Sequence, residues 1–277
     1  MEFARHLPYM QPRAGSGSLI LIVALGLVGV VAPWIAPQDP LATNVAVALK
    51  PPSSIHWFGT DAVGRDVFSR VLIATRLDLS IAATAVALAF IVGAAAGTIS
   101  GYFGGWIDAA IGRLTDTIMA FPLFVLAMGI VAAAGNTVAN IVYATAIINI
   151  PTYIRVARAE VLVRRDAPFI QAARLVGNGP PRLLAFHLFP NVLPPLVVQA
   201  SLNMSYAILN AAGLSFIGLG VRPPTPEWGI MVADGAAFII SGEWWVWLFP
   251  GLVLTGAVLA FNIAGDGLRD FFDPQKR

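Results

Sequence analysis

Residues 79–101, LSIAATAVALAFIVGAAAGTISG, contain no charged side chain. A helix of this length reaches about 35 Å, enough to cross a hydrocarbon core of about 30 Å. Five further apolar runs of similar character stand at 18–36, 117–134, 137–154, 193–213 and 244–264, separated by charged or Pro/Gly-rich breaks. None shows the period-two alternation of a membrane barrel strand, so the spans are read as helices. The expected fold is all-α: a single polytopic membrane domain over 1–277 with about six transmembrane helices.

Composition agrees. Of 277 residues, 57% are hydrophobic and 12% charged, and mean hydropathy is +0.77. Soluble domains carry about a quarter charged residues, so lipid is the natural surrounding of this chain. The absence of cysteine excludes disulfides and thiolate metal sites. A net charge of +2 is too small to point to nucleic acid, and the basic residues are better read as topology signals. Arg5 and Arg13 before the apolar run Leu19–Ile35 imitate a secretory signal. The length of that run, followed by Pro37 and Pro40 without a small-residue cleavage site, favours an uncleaved first span.

With the N-terminus inside the cell, 12 of the 17 Lys and Arg residues face the cytoplasm. Both termini are then cytoplasmic, 37–78 and 214–243 are external loops, and 155–190 is internal. Lys50, Arg65, Arg70 and Arg76 make the first external loop unusually basic. Its stretch FGTDAVGRDVFSRVLIATR is expected to form an amphipathic helix lying at the interface. Trp244, Trp245 and Trp247 sit where an interfacial aromatic anchor of the sixth span belongs.

The 155–190 segment holds six arginines. Burying them in lipid at about 2.5–3.5 kcal/mol each costs on the order of 15 kcal/mol or more, so the segment leaves the bilayer. Ala157–Val176 favours helix with one interruption at Pro168. Gly177, Asn178, Gly179, Pro180 and Pro181 then break it, and Arg182–Phe189 resumes before Pro190. Two small residues, Ala172 and Ala173, allow close approach of a partner, and Gly177 permits a tight reversal.

Within this segment, QAARLVGNGPPRLLAFHLFP resembles the cytoplasmic coupling loop of ABC importer permeases: Glu-Ala-Ala, a glycine after three residues, and an Ile-x-Leu-Pro ending after nine more. Gln171, Ala172, Ala173 and Gly177 fill the first positions, and His187, Phe189 and Pro190 the ending. Gln171 keeps hydrogen-bonding capacity without the carboxylate charge. HWFGTDAVGRDVFSR, LSFIGLGVRPPTPEWGIMV and VLAFNIAGDGLRDFFDP are similar to the C-type permeases of dipeptide, oligopeptide, glutathione and nickel importers, and the likeness covers Ile55–Pro274. It implies the type I permease fold in the bacterial inner membrane. It also implies a heterodimer with a homologous permease, two cytoplasmic ATPase subunits or domains that bind ATP and Mg, and an external substrate-binding protein. The loop is then the knob that docks in the ATPase.

A phosphate-binding loop ends in Gly-Lys-Ser/Thr, whereas the only lysines here are Lys50 and Lys276, so ATP hydrolysis by that device is not expected of this chain. No cofactor or metal is expected in it, since His6, His56 and His187 are scattered. Gly213-Leu214-Ser215 opens like a nucleophile elbow, but Ile217 replaces its last glycine and no strand precedes it, so a catalytic role is not expected.

Gln199, Asn203, Tyr206 and Asn210 form one stripe on the fifth span. Intramembrane polar groups face protein or water. Pathway lining and interhelical hydrogen bonding, including to a partner permease, both fit. Arg113 and Asp116 read as a local pair, and Pro122 and Pro151 as kinks or ordinary membrane prolines. The 222–243 segment is an external gate, a contact for the binding protein or a simple loop. A stand-alone secondary carrier or channel is the alternative, and it normally needs ionisable groups that these span centres largely lack. The cargo stays open among peptides, glutathione, nickel complexes and other small solutes.

Overall fold

Lipid offers no hydrogen-bond partner to a peptide group, so the apolar runs close their backbone hydrogen bonds within helices. The computed structural model describes residues 13–272, with side chains from residue 17. Arg5, His6, Lys276, Arg277, the side chain of Arg13 and the end of the terminal motif lie outside the described residues. The described residues form α1 (Arg13–Ile35), α2 (Val67–Phe103), α3 (Gly105–Met119), α4 (Leu123–Ala134), α5 (Val138–Arg164), α6 (Pro168–Leu175), α7 (Pro180–Leu183), α8 (Phe189–Phe216), α9 (Trp228–Ala236) and α10 (Trp245–Phe272). A π-helical turn, Leu184–Leu188, joins α7 to α8.

Among the described residues, Gly17–Ile35, Val67–Phe103, Pro180–Phe216 and Trp245–Phe272 are each long and apolar enough to cross a membrane. The pair α3 and α4 adds a fifth if counted as one span, although the two helices meet at 87°. The run 117–134, read from sequence as one span with Pro122 as a kink or an ordinary membrane proline, comprises the end of one helix and the whole of another. Pro122 precedes α4 and has no N–H to continue the helix. At about 18 Å, α4 is too short to cross alone. The most polar long helix, α5, carries Asn140, Asn149 and three arginines, and it packs against α2, α3, α4 and α8.

The seam between α2 and α5 is built on glycine. Gly93, Gly97 and Gly101 follow at intervals of four and present bare backbone on one face of α2. A Cβ on Gly93 would lie 2.5 Å from Tyr153 Cβ, one on Gly97 2.4 Å from the Ile154 carbonyl oxygen, and one on Gly101 2.9 Å from that of Arg158. Contact this close replaces the hydrophobic drive that lipid removes.

At the N-terminal end of α2 the 37–66 segment folds into a lobe, and here the expected interfacial helix is corrected. His56–Asp66 is a series of turns held by a bridge between Thr60 and Asp66, and helix starts only at Val67, continuing directly into the span. Asp66 sets that start: its Oδ2 accepts from Ser69 N at 2.8 Å and from Ser69 Oγ at 2.7 Å, while Oδ1 meets His56 Nδ1 at 2.9 Å. Gly64 holds φ +78°, and a Cβ there would lie 1.9 Å from the Asn44 carbonyl oxygen.

The basic character of this loop also has a structural cause. Arg65 Nε pairs with Asp61 Oδ2 at 2.6 Å. Arg70 is buried 3.7 Å from the same carboxylate and donates to the carbonyls of Pro40 at 3.0 Å and Pro224 at 3.3 Å. Arg70 staples distant segments together and Arg65 closes a local turn, so both are poor topology markers. Of the three tryptophans, Trp245 is buried and donates to the Thr60 carbonyl at 3.1 Å. It is a lobe residue, a correction to its reading as an interfacial anchor; Trp244 is exposed and Trp247 half-buried.

Candidate functional site

The opposite end of the bundle is where α5 leaves α2 and the chain turns into α6. Arg165 Nη1 donates to the Gly101 carbonyl at 3.0 Å, and the Arg174 guanidinium lies 5.4 Å from the centre of the Tyr102 ring. Both contacts tie the turn to the last residues of α2. Nearby, Asp108 on α3 receives a bidentate grip from Arg158 at 2.5 and 2.7 Å and a bond from Ser100 Oγ at 2.5 Å. The spacing-based pairing of Arg113 with Asp116 is corrected: Asp116 meets Arg155 of α5 at 2.8 Å. That pair is largely exposed and contributes little.

The turn itself is closed by its backbone. Gly177, at φ +89°, donates from N to the Arg174 carbonyl at 2.9 Å, and Asn178 N donates to the Ala173 carbonyl at 3.2 Å. This is the paired 5→2 and 6→1 bonding of a Schellman stop, which asks for a residue of positive φ. Asn178 Nδ2 bonds the Ala173 carbonyl again at 2.9 Å. Nothing stands within 4 Å of a Cβ on Gly177, so the glycine serves the backbone and leaves the outside open. Then α7, begun by Pro180 and Pro181, runs through the π turn into α8, with Pro190 at its second position.

Ile170, Ala173, Leu183 and Leu188 are buried and form the inner face of this knob. Only Ala172 of the two motif alanines is exposed; Ala173 belongs to the packing inside. Gln171 Nε2 donates to the Asp166 carbonyl at 2.9 Å, holding the corner between α5 and α6. On the outer face Leu175 is 91%, Val176 81% and Phe186 73% exposed. Arg174 and Arg182 adjoin them in the chain, so exposed apolar and cationic side chains alternate on this turn. Sequence reading passed over these three residues, although they lie between the motif positions it singled out.

The polar stripe of α8 divides. Gln199 Nε2 donates to Asn203 Oδ1 at 2.9 Å, and Asn203 is 2% exposed, held inside the bundle beside Tyr153. Tyr206 is 60% exposed and Asn210 half-buried. Ser201 and Ser205, outside the stripe, bond the Phe261 and Val258 carbonyls of α10 at 2.9 Å each. Elsewhere, Ser215 Oγ accepts from Val221 N at 3.1 Å, and His187 Nδ1 lies 3.4 Å from the Arg182 carbonyl.

Residues 89–277, including the knob, match the family described as the inner membrane component of binding-protein-dependent transport systems. The chain belongs to this family. It is the membrane permease subunit of an ABC importer, a multi-pass inner-membrane protein. The permease is 43% identical over 258 residues to the probable D,D-dipeptide transport system permease protein DdpC of Escherichia coli K12, covering 93% of this chain and 86% of that one. It is 44% identical to the dipeptide transport system permease protein DppC of Alkalihalophilus pseudofirmus, over 94% and 85% of the two chains. With the glutathione transport system permease protein GsiD of Escherichia coli O6:K15:H31 the identity is 39%, over 92% and 84%.

Proposed function

We propose that this permease imports short peptides, forming half of the pathway beside a homologous permease and drawing energy from two ATPase subunits or domains, which bind ATP and Mg and grip the 168–190 knob. An extracytoplasmic binding protein delivers the cargo to the lobe built from 37–66 and 217–244. The observation that carries the coupling role is the combination of a rigid, Schellman-stopped turn with outward Leu175, Val176 and Phe186. Gln171, Ala172, Ala173, Gly177 and Pro190 shape the knob, while these three apolar side chains supply its contact.

The free ends of α1 and α10 share the knob's end of the bundle. Arg113, Arg155, Arg158, Arg164, Arg165, Arg174, Arg182 and Arg269 gather there, which supports a cytoplasmic position for both termini. Tyr206 and Asn210 face the pathway or the partner permease, while Gln199 holds Asn203 within α8 and Asn203 lies against Tyr153 of α5. The peptide assignment leans on the names of the relatives, DdpC and DppC among them.

The test is ATP hydrolysis by the intact assembly in nanodiscs with its binding protein. Dipeptides and tripeptides are expected to raise the rate several-fold. Stimulation by glutathione or a nickel complex, with none by peptides, contradicts the assignment.

A further inference from the structure

The knob's end of the bundle also holds a cleft that the coupling role does not use. Helix α2 ends at Phe103, and Gly104 and Gly105, at φ +64° and +54°, turn the chain into α3. Asp108 then fixes the first turn of α3 against Ser100 of α2 and Arg158 of α5. Beyond that anchor α3 and α5 border a cleft of about 400 Å³. Ala109, Gly112, Arg113 and Asp116, one face of α3, line one wall, and Arg155 and Arg158 of α5 line the other. Two small residues leave the room: nothing stands within 4 Å of a Cβ on Gly112.

The charges around the cleft do not cancel. Both oxygens of Asp108 are engaged, Oδ1 by Arg158 Nε and Ser100 Oγ, and Oδ2 by Arg158 Nη2. Asp116 Oδ1 takes Arg155 Nη2 at 2.8 Å, in a pair that is largely exposed. Arg113 is exposed and has neither an ion pair nor a side-chain hydrogen bond among the described residues. The cleft therefore carries one cation in excess, with all the N–H donors of its guanidinium unspent. A second guanidinium, Arg155, faces it from α5, held only by an ion pair of the weak, water-exposed kind.

We infer that this cleft binds a phosphate group, with Arg113 gripping two of its oxygens and Arg155 reaching it from the facing wall. A planar guanidinium matches two phosphate oxygens with parallel N–H···O bonds. The tetrahedral group offers further oxygens outside that plane to a second guanidinium, which a planar carboxylate does not. Asp108 stays out of the contact because its lone pairs are committed. The anion competes with Asp116 alone for Arg155, and displacing an exposed carboxylate costs little. Three guanidinium groups exclude a metal cation from the same space.

The phosphate has two possible carriers, a lipid head group and a soluble phosphate. Trp106 and Leu114 are exposed on the neighbouring face of α3, where the tails of a lipid would lie while its phosphate enters the cleft. A soluble phosphate needs only the arginines. The recognition chemistry is the same in both cases, and it rests on the fold alone, whichever cargo is carried. Arg113→Gln removes the charge and the fork, and Gly112→Leu fills the open space from a helix position that favours leucine over glycine.

The experiment measures binding to the purified full-length chain in a phosphate-free detergent. One arm counts bound phosphatidylglycerol by native mass spectrometry, and the other titrates inorganic phosphate by equilibrium dialysis at constant ionic strength. A single saturable equivalent is expected in at least one arm, and the arm that shows it names the carrier. Arg113→Gln is expected to weaken that binding at least about tenfold, as loss of a charge-assisted bidentate grip implies. Gly112→Leu should do the same, and both variants should melt like wild type when neither probe is present. Arg76→Gln, which removes an exposed arginine on the lobe side of α2, is the control and should bind as wild type does. If Gly112→Leu fails to fold, Arg113→Gln decides alone. Saturable binding in neither arm overturns the site, as does binding that Arg113→Gln leaves unchanged or that Arg76→Gln weakens equally.

Discussion

Replacing Leu175 and Phe186 together by aspartate is expected to leave the permease folded in the membrane and unable to import. Both side chains point away from the bundle, so the variant's thermal midpoint should stay within about 2 °C of wild type, as surface changes near ±0.5 kcal/mol imply. In the proposed complex each is an apolar anchor worth roughly 2 kcal/mol or more on truncation. Two together weaken ATPase association on the order of 10³-fold. Co-purification of the ATPase and uptake in whole cells should both be lost. An unchanged yield of complex would place the contact elsewhere on the knob.

The second large effect is structural. Gly97→Leu is expected to cost roughly 3–5 kcal/mol, because the new Cβ meets the Ile154 carbonyl oxygen at 2.4 Å and Ala157 Cβ at 2.8 Å, and a helix backbone cannot move aside as a side chain can. The thermal midpoint should fall on the order of 10 °C or more. Gly26→Leu on α1, where nothing lies within 4 Å, is the control and should be nearly neutral. Equal melting of the two variants would remove the glycine seam as the element that holds α2 to α5.

The apolar runs were legible because crossing a bilayer imposes a length and a composition on every span, and 79–101 states both openly. The knob was legible for a different reason: six arginines, Gly177 and paired prolines leave few conformations for 155–190. Burial was harder. In a membrane segment an apolar side chain suits lipid and protein alike, so nothing in the composition separates Trp245, buried in the lobe, from Trp244, which is exposed. The break before α4 was announced by Pro122, but a kink and an 87° bend look the same in sequence. The lobe was misread because Asp61, Arg65, Asp66 and Arg70 resemble a polar helix face, whereas Asp66 turns to His56 and Ser69, and Arg70 reaches the distant Pro40 and Pro224 carbonyls, which only the tertiary fold brings near.

Glu227 and Asp78 show the same limit. They stand 149 positions apart in the chain, and only the packing of α9 on α2, where Trp228 N donates to Asp78 Oδ2, brings their segments together. The Gly93, Gly97 and Gly101 triad, by contrast, is legible at its four-residue spacing, although the hydropathy of that run alone does not distinguish a packed glycine face from a lipid-facing one.

The central claim is that the 168–190 knob is a handle gripped by a separate nucleotide-hydrolysing subunit. The chain contains no native cysteine, so Val176→Cys offers a single thiol on the outer face. Cross-linking from that thiol in inside-out membrane vesicles is predicted to capture the ATPase subunit, with a yield that changes when ATP is bound. Labelling of the thiol from the outer face of intact cells, or a cross-link pattern that never includes a nucleotide-hydrolysing protein, would contradict it.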